Sequence, residues 1–170
     1  MQTVPLLIRI FLPPVWLLIF LIGEGVLNLW LPGPKLFETP WNYFGILPLL
    51  IGIGLAIWAH QLFRSAGNDV VPFRNISAFV VAGPYHFTRN PMYLGMTLVL
   101  LGVAILLGVM TPFLIIPIFM AVITTLFIRR EENLMETKFG AVYLDYKHQY
   151  GDGYNHTSSL FTELLHHIQF

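Results

Sequence analysis

Two polar stretches carry most of the side chains in this sequence that could do chemistry. The first, GPYHFTRNPMYLG, runs from Gly83 to Gly95 and gathers Tyr85, His86, Arg89, Asn90 and Tyr93 into a proline-punctuated turn. The second, RREENLMETKFG, runs from Arg129 to Gly140 and holds the adjacent carboxylates Glu131 and Glu132. A guanidinium is a planar fork of N–H donors that matches a carboxylate. A carboxylate in turn accepts from an ammonium group or from a pair of ribose hydroxyls. On a helix, adjacent carboxylates diverge by roughly 100°. One can then face a pocket between helices while the other anchors a neighbouring loop. Each residue also has an ordinary use: Glu131 and Glu132 as a solvated span end, Arg89 as an interfacial anchor, His86 as a structural residue, Tyr93 as a belt residue.

The local elements follow from proline and glycine. Pro91 disfavours helical geometry at Asn90, so the chain turns there and a helix starts at the proline. Gly83-Pro84 sets a second tight turn just upstream, bringing backbone amides and Tyr85-His86 towards the same place. After Gly140, AVYLDYKHQY reads as further helix. Phe139, Tyr143 and Tyr146 stand at i, i+4 and i+7, which puts them on one face.

These stretches sit between long apolar runs. The chain has 170 residues, is 56% hydrophobic and 11% charged, and has a mean hydropathy of +0.70. A soluble domain of this size carries about a quarter charged residues, so the composition predicts one small membrane domain spanning residues 1–170, with the motif region at 63–150. A formal net charge of zero gives no electrostatic case for nucleic acid. Cysteine is absent, which excludes disulfides, thiolate metal sites and cysteine nucleophiles. Without a charged n-region or a small-residue cleavage site, the first apolar run reads as a retained helix. Four apolar blocks emerge, from about Phe11 to Leu31, Tyr43 to Phe63, Met92 to Leu107, and from Thr111-Pro112 to Ile128. Each is roughly the ~20 residues that a helix needs to cross the bilayer core. Trp30, Trp41 and Tyr43 fall near block ends, as aromatic belts do. The predicted class is thus an all-α integral membrane protein with about four spans, a short lead-in from Val4 to Leu12, and cytoplasmic C-terminal helical segments, one with a stripe from Leu160 to Ile168.

Charge sets the expected orientation. Only Lys35 lies in the first outer link, whereas Arg9, Arg64, Arg74, Arg89, Arg129, Arg130, Lys138 and Lys147 fall on the other side. By the positive-inside rule both termini and both polar stretches are cytoplasmic.

The two motifs, in this order and at a helical-hairpin spacing, resemble the membrane methyltransferase family containing isoprenylcysteine carboxyl methyltransferases and phospholipid N-methyltransferases. That family's pattern is G-P-Y-x-x-x-R-[NH]-P-x-Y-x-G followed by E-E-x-x-L-x-x-x-F-G-x-x-Y-x-x-Y, and every stated position is matched here. The likeness covers about Phe63 to Tyr150, roughly half of the chain. It implies S-adenosylmethionine as cofactor, with Tyr85, His86, Arg89, Asn90, Tyr93, Glu131 and Glu132 as its contacts. It also implies Arg89, Glu132 and His86 as the residues acting in catalysis, with no metal. The partners it implies are membrane lipids and a lipophilic acceptor: an isoprenylcysteine-like carboxylate, a phospholipid amine or another apolar molecule. Gly52 and Gly54 match a GxG of the phospholipid methyltransferases, although helix packing explains such glycines as well. Two departures bear on the acceptor. The V-P-x-W/F-x-P segment that follows the second tyrosine in many members is replaced by KHQYGDGYNHTSS, and the loop Ala66 to Ala82 is short.

Two other classes share features with this chain. Membrane sterol and steroid reductases resemble it around R-N-P-x-Y-x-G but use NADPH; the Glu131-Glu132 pair and the small size favour the methyltransferase. A non-enzymatic membrane interaction protein is the third reading. Asn75-Ile-Ser and Asn155-His-Thr match glycosylation acceptors that a cytoplasmic side leaves idle. Glu24 reads as a bundle-facing or near-interface carboxylate, conceivably paired with His60. His166-His167 is too short for a metal site.

Overall fold

Proline and glycine mark where the helices begin and end, and the apolar runs between them fill the spans. The computed structural model describes residues 12–67 and 80–149, which form helices and no strands. Helix α1, Pro13–Trp30, opens on Pro13-Pro14, where missing N–H groups leave no helical bond unmade. A 3₁₀ turn, Trp41–Gly45, leads directly into α2, Ile46–Ser65. Helix α3, Pro91–Leu107, starts at the proline as the sequence requires, and ends at Gly108 in the left-handed region (φ 72°). The last rod begins with a 3₁₀ turn, Thr111–Leu114, and runs through α4, Ile115–Ile123, and a π turn, Thr124–Ile128. It continues unbroken into α5, Arg129–Phe139, and Gly140 then turns the chain into α6, Ala141–Gln149. The lead-in before Leu12, Arg9, Arg74, both glycosylation sequons, the tail stripe from Leu160 and His166-His167 lie outside the described residues.

Three rods, Pro13–Trp30, Trp41–Ser65 and Thr111–Phe139, are long and apolar enough to cross a membrane. Helix α3 is a shorter apolar helix of 17 residues, about 25 Å at the α-helical rise. The chain is therefore an all-helical membrane protein, and all four expected apolar blocks are helices. Leu18, Ile22, Leu47, Leu50 and Ile53 are exposed on the outer surface, an arrangement suited to lipid rather than water.

Glycines fix how α2 meets α3. Gly45 at the end of the 3₁₀ turn and Gly52 in α2 oppose Gly102 and Gly95 of α3, in antiparallel order. A Cβ at Gly52 would stand 2.5 Å from the Gly95 carbonyl oxygen, and one at Gly102 would stand 2.7 Å from the Gly45 oxygen. The two backbones touch because no side chain intervenes, the close approach that small residues permit in membranes. Gly54 is different: a Cβ there would meet nothing within 4 Å. On the other flank of α3, Tyr93, Met96 and Leu100 pack with Phe119, Ile123 and Phe127 of the last rod. Phe20 of α1 closes this core edge-on against Phe119, with ring centroids 5.3 Å apart.

The two ends of the bundle differ in charge. At one end the Pro32–Glu38 link docks on the α3–α4 connection, with Leu36 N donating to Gly108 O (2.8 Å) and Thr111 Oγ1 to Pro32 O (2.9 Å). Lys35 is the one lysine or arginine there among the described residues, and the other described cations gather at the opposite end. Glu24 is fully buried, and neither carboxylate oxygen has a hydrogen-bond partner among the described residues. The conceivable pair with His60 is not made. His60 lies beside Pro14, and Pro14 is ten residues back from Glu24 on α1, about 15 Å along the axis.

Candidate active site

The first polar stretch is built on α2. Gly83 takes φ 61°, and a Cβ there would lie 2.7 Å from Leu62 Cδ1 and 3.1 Å from Trp58 Cζ2. The 3₁₀ turn Gly83–His86 is thus pressed against the last turns of α2. Pro84 and Tyr85 are buried in it, and the Tyr85 hydroxyl donates to Ala59 O at 3.4 Å. Burial, with Glu131 and Tyr146 nearby, pushes the Tyr85 phenol well above its usual range, so it keeps the proton it donates. Asn90 caps α3: its N–H donates to Thr88 Oγ1 (3.3 Å), and its carbonyl accepts from Leu94 N (3.0 Å). His86 is exposed on the outside of the turn.

The second stretch meets the first at the start of α3. Tyr93 donates from its hydroxyl to Glu131 Oε1 at 2.9 Å. Arg89 Nη1 lies 3.2 Å from Glu132 Oε1, with the arginine side chain 7% exposed and the glutamate 16%. The adjacent carboxylates thus divide their work: Glu131 turns to the α3 helix, and Glu132 ties down the loop before it. Among the described residues Tyr93 is the one partner of the Glu131 carboxylate. The π turn just upstream is part of the cause. Thr125 Oγ1 bonds back to Ala121 O (2.8 Å) and Val122 O (3.1 Å), and widening the helix by one residue shifts the facing of everything after it.

Of the seven expected contacts, Arg89, Tyr93, Glu131 and Glu132 come together in one cluster. Tyr85 lies behind it as scaffold, Asn90 serves as the helix cap, and His86 faces outward. The structure adds residues that the sequence reading did not single out as site residues. Lys147 Nζ lies 3.4 Å from Glu132 Oε2 and 2.6 Å from Glu136 Oε1. The hydrogen bond to Glu136 pushes the lysine above its usual range. Arg89, Glu132, Lys147 and Glu136 therefore form a chain of alternating charge. Tyr146 is also buried, and its hydroxyl donates to Tyr85 O at 2.7 Å, tying α6 to the Gly83–His86 turn. Tyr143 is buried beside it, with ring centroids 6.1 Å apart. Burial, with Glu132 close, raises the Tyr143 phenol above its usual range.

The one-face arrangement of Phe139, Tyr143 and Tyr146 needs correction. Gly140 (φ 52°, ψ −126°) breaks the helix after Phe139, so only the two tyrosines share a helix. The i, i+4, i+7 spacing signals a shared face only where the helix is continuous.

The cluster has the complementary charges expected of a site for a small ligand bearing both charge signs. A buried guanidinium pairs with one carboxylate and a tyrosine hydroxyl donates to the other, at the end of the bundle where the cations gather. A family model described as phospholipid methyltransferase matches residues 41–142, from the start of the 3₁₀ turn before α2 to the second residue of α6. Neither the curated proteins nor the solved structures contain a match to this chain.

Proposed function

This chain belongs to the phospholipid methyltransferase family, and on that premise we propose that it transfers a methyl group from S-adenosylmethionine to a lipophilic acceptor at the cytoplasmic face of a membrane. The observation that carries the reading is the Glu131 carboxylate, held on one oxygen by Tyr93 and with no second partner among the described residues, beside the buried Arg89–Glu132 pair. The donor set fits the cofactor: Arg89 would hold its carboxylate, and Glu131 its ammonium or ribose hydroxyls. Asn90 and the Tyr85 turn would line the same space. When bound, S-adenosylmethionine supplies a methyl group activated on a sulfonium.

The chain's own residues then have three tasks. Glu132 orients Arg89 by fixing Nη1 at 3.2 Å, so the guanidinium fork is preset before any ligand arrives. Buried Tyr93, Tyr143 and Tyr146 exclude water around that pair, which strengthens its electrostatics. His86, exposed on the turn, would take up the proton released by an amine acceptor. The charge asymmetry of the bundle supports a cytoplasmic site with both termini on that side. The whole chain then acts as one methyltransferase domain.

The test is direct: isothermal titration of the purified protein with S-adenosylmethionine, followed by transfer of a tritiated methyl group into a membrane-lipid extract. Saturable binding and a labelled lipid are expected, both lost in Glu131→Gln. Binding of NADPH without S-adenosylmethionine would transfer the chain to the reductase class. Binding of neither, with no labelled product, would leave an interaction protein.

A further inference from the structure

The Glu132 carboxylate is shared between two cations, one on each oxygen. Arg89 Nη1 lies 3.2 Å from Oε1, and Lys147 Nζ lies 3.4 Å from Oε2. Arg89 comes from the loop before α3 and Lys147 from α6. Glu132 and Glu136 stand at i and i+4 on α5, so one ammonium reaches both carboxylates and relieves the repulsion between them. At present it leans to Glu136 Oε1, at 2.6 Å. That bond holds the lysine above its usual range, so it is charged wherever the carboxylates are. The Tyr146 hydroxyl, next in the chain, fixes α6 to Tyr85 O at 2.7 Å and keeps the ammonium in place. The two cations differ in burial: the Arg89 side chain is 7% exposed and that of Lys147 35%.

We propose that Lys147 is a positioning residue of this site, the standby counterion that takes over Glu132 when Arg89 turns to a ligand carboxylate. The role rests on the methyltransferase reading for the identity of that ligand, and not for the sharing of Glu132. Freeing Arg89 with no replacement would leave a largely buried carboxylate without a cation, which is strongly unfavourable. Lys147 Nζ needs to move by only about 0.6 Å to reach the length of a charge-assisted hydrogen bond. It is partly hydrated where it stands, so the move demands little further desolvation. Glu136, which loses the ammonium, is 33% exposed and water can take its place. The exchange therefore swaps the partner of Glu132 instead of breaking a buried pair. Lys147 lies beyond residues 41–142, so the family match assigns it no part. Two opposite effects follow. Without Lys147, Glu132 keeps Arg89 and a ligand carboxylate must compete for the guanidinium. Without Glu136, Lys147 is given wholly to Glu132 and Arg89 is released more readily.

The experiment has two arms, both on the full chain in nanodiscs. The first needs no ligand. Lys147→Gln should shift Tm little in the otherwise unchanged chain, and roughly twice as far or more in Arg89→Gln, where Lys147 is the remaining described cation on Glu132. Equal shifts in the two backgrounds overturn the inference. The second arm titrates S-adenosylhomocysteine, the demethylated product, which carries the same carboxylate and ammonium without the sulfonium charge. Its zwitterion is neutral, so a change in the net charge of the site does not by itself alter the attraction. Lys147→Gln should weaken binding about tenfold, the effect of losing one charge-assisted hydrogen bond, and Lys147→Arg should recover most of it. Glu136→Gln should tighten binding. A merely structural tie between α5 and α6 would instead make Glu136→Gln and Lys147→Gln weaken binding alike. Unchanged affinity in Lys147→Gln, no recovery in Lys147→Arg, or a Glu136→Gln chain that binds no more tightly also overturns the inference. The two readings fail separately. Coupled Tm shifts in a chain that binds neither S-adenosylmethionine nor its product sink the methyltransferase reading alone, and cofactor binding with uncoupled shifts sinks only the counterion role.

Discussion

Gly95→Ala should loosen the α2–α3 seam, and Gly54→Ala should not. A Cβ at Gly95 would lie 2.7 Å from the Gly52 oxygen, 2.8 Å from Ala56 N and 3.0 Å from Ala56 Cβ. None of these atoms can swing aside, because two are backbone and the third is fixed to it. Ordinary contact begins near 3.4 Å, so the helices must part by roughly 0.7 Å, a gap that forfeits a quarter to a half of each dispersion contact along the seam. Overpacking of this kind costs up to about 3 kcal/mol, offset by about 1 kcal/mol from alanine's better helix propensity. The net loss is about 2 kcal/mol, or roughly 4–8 °C in Tm for a chain of this length. At Gly54 the Cβ meets open space, so only the propensity gain of up to about 1 kcal/mol remains and Tm should hold or rise. Thermal unfolding of the detergent-solubilised protein, followed by tryptophan fluorescence, measures both. A second substitution at Gly52 should add less than its own single effect, because the seam has already opened. Tyr93 stands two residues from Gly95 on the displaced helix, so the register of the 2.9 Å Tyr93–Glu131 bond to the last rod is disturbed as well, and Gly95→Ala should also weaken cofactor binding. Equal Tm shifts for Gly95→Ala and Gly54→Ala would refute the reasoning. Loss of cofactor affinity in Gly54→Ala at unchanged Tm would instead give the GxG a direct role.

Two further outcomes follow from the charged groups. Arg89→Ala leaves a carboxylate that is 16% exposed with Lys147 as its remaining described partner and should cost up to about 3 kcal/mol, with Arg89→Ala/Glu132→Ala losing less than the sum of the single changes. Lys147→Ala, at a side chain 35% exposed, should cost under about 1 kcal/mol; equal effects of the two cation deletions in thermal unfolding would contradict the burial argument. Glu24→Leu should raise Tm, because a fully buried carboxyl without a hydrogen-bond partner among the described residues gives way to an apolar side chain, a change worth roughly 1–4 kcal/mol in comparable sites. A lower Tm or lost activity in Glu24→Leu would show that this carboxylate holds something.

The sequence was most legible where a single residue dictates the backbone. Pro13 and Pro91 mark helix boundaries because ring closure leaves no alternative, and α3 begins at the expected proline, whereas the one-face reading of Phe139, Tyr143 and Tyr146 ran through the break at Gly140. That the two polar stretches meet was also readable, since two short motifs at the ends of neighbouring spans have little freedom to miss, but not that Arg89 takes Glu132 and Tyr93 takes Glu131. Gly52 and Gly54 were indistinguishable in the sequence. Two positions apart on a helix they point to nearly opposite sides, and only the pairing with α3 reveals that Gly52 is the contact and Gly54 the open face. Lys147 was invisible for a related reason. It reaches Glu132 and Glu136 across the Gly140 break, where helical spacing carries no information.

The two halves of the cluster owe their positions to different backbone devices. The Arg89 half is set by the Gly83 turn pressed on α2 and by the glycine seam beneath Tyr93. The carboxylate half is set by the π turn Thr124–Ile128, which fixes the facing of Glu131 and Glu132. Neither device depends on the Arg89–Glu132 contact, so that pair is a latch between surfaces that already face one another. Under the proposed function Arg89 would trade Glu132 for the ligand's carboxylate without collapse of the helices on either side. Lys147 and Tyr146 of α6 would still hold Glu132 and the Gly83–His86 turn while the exchange takes place.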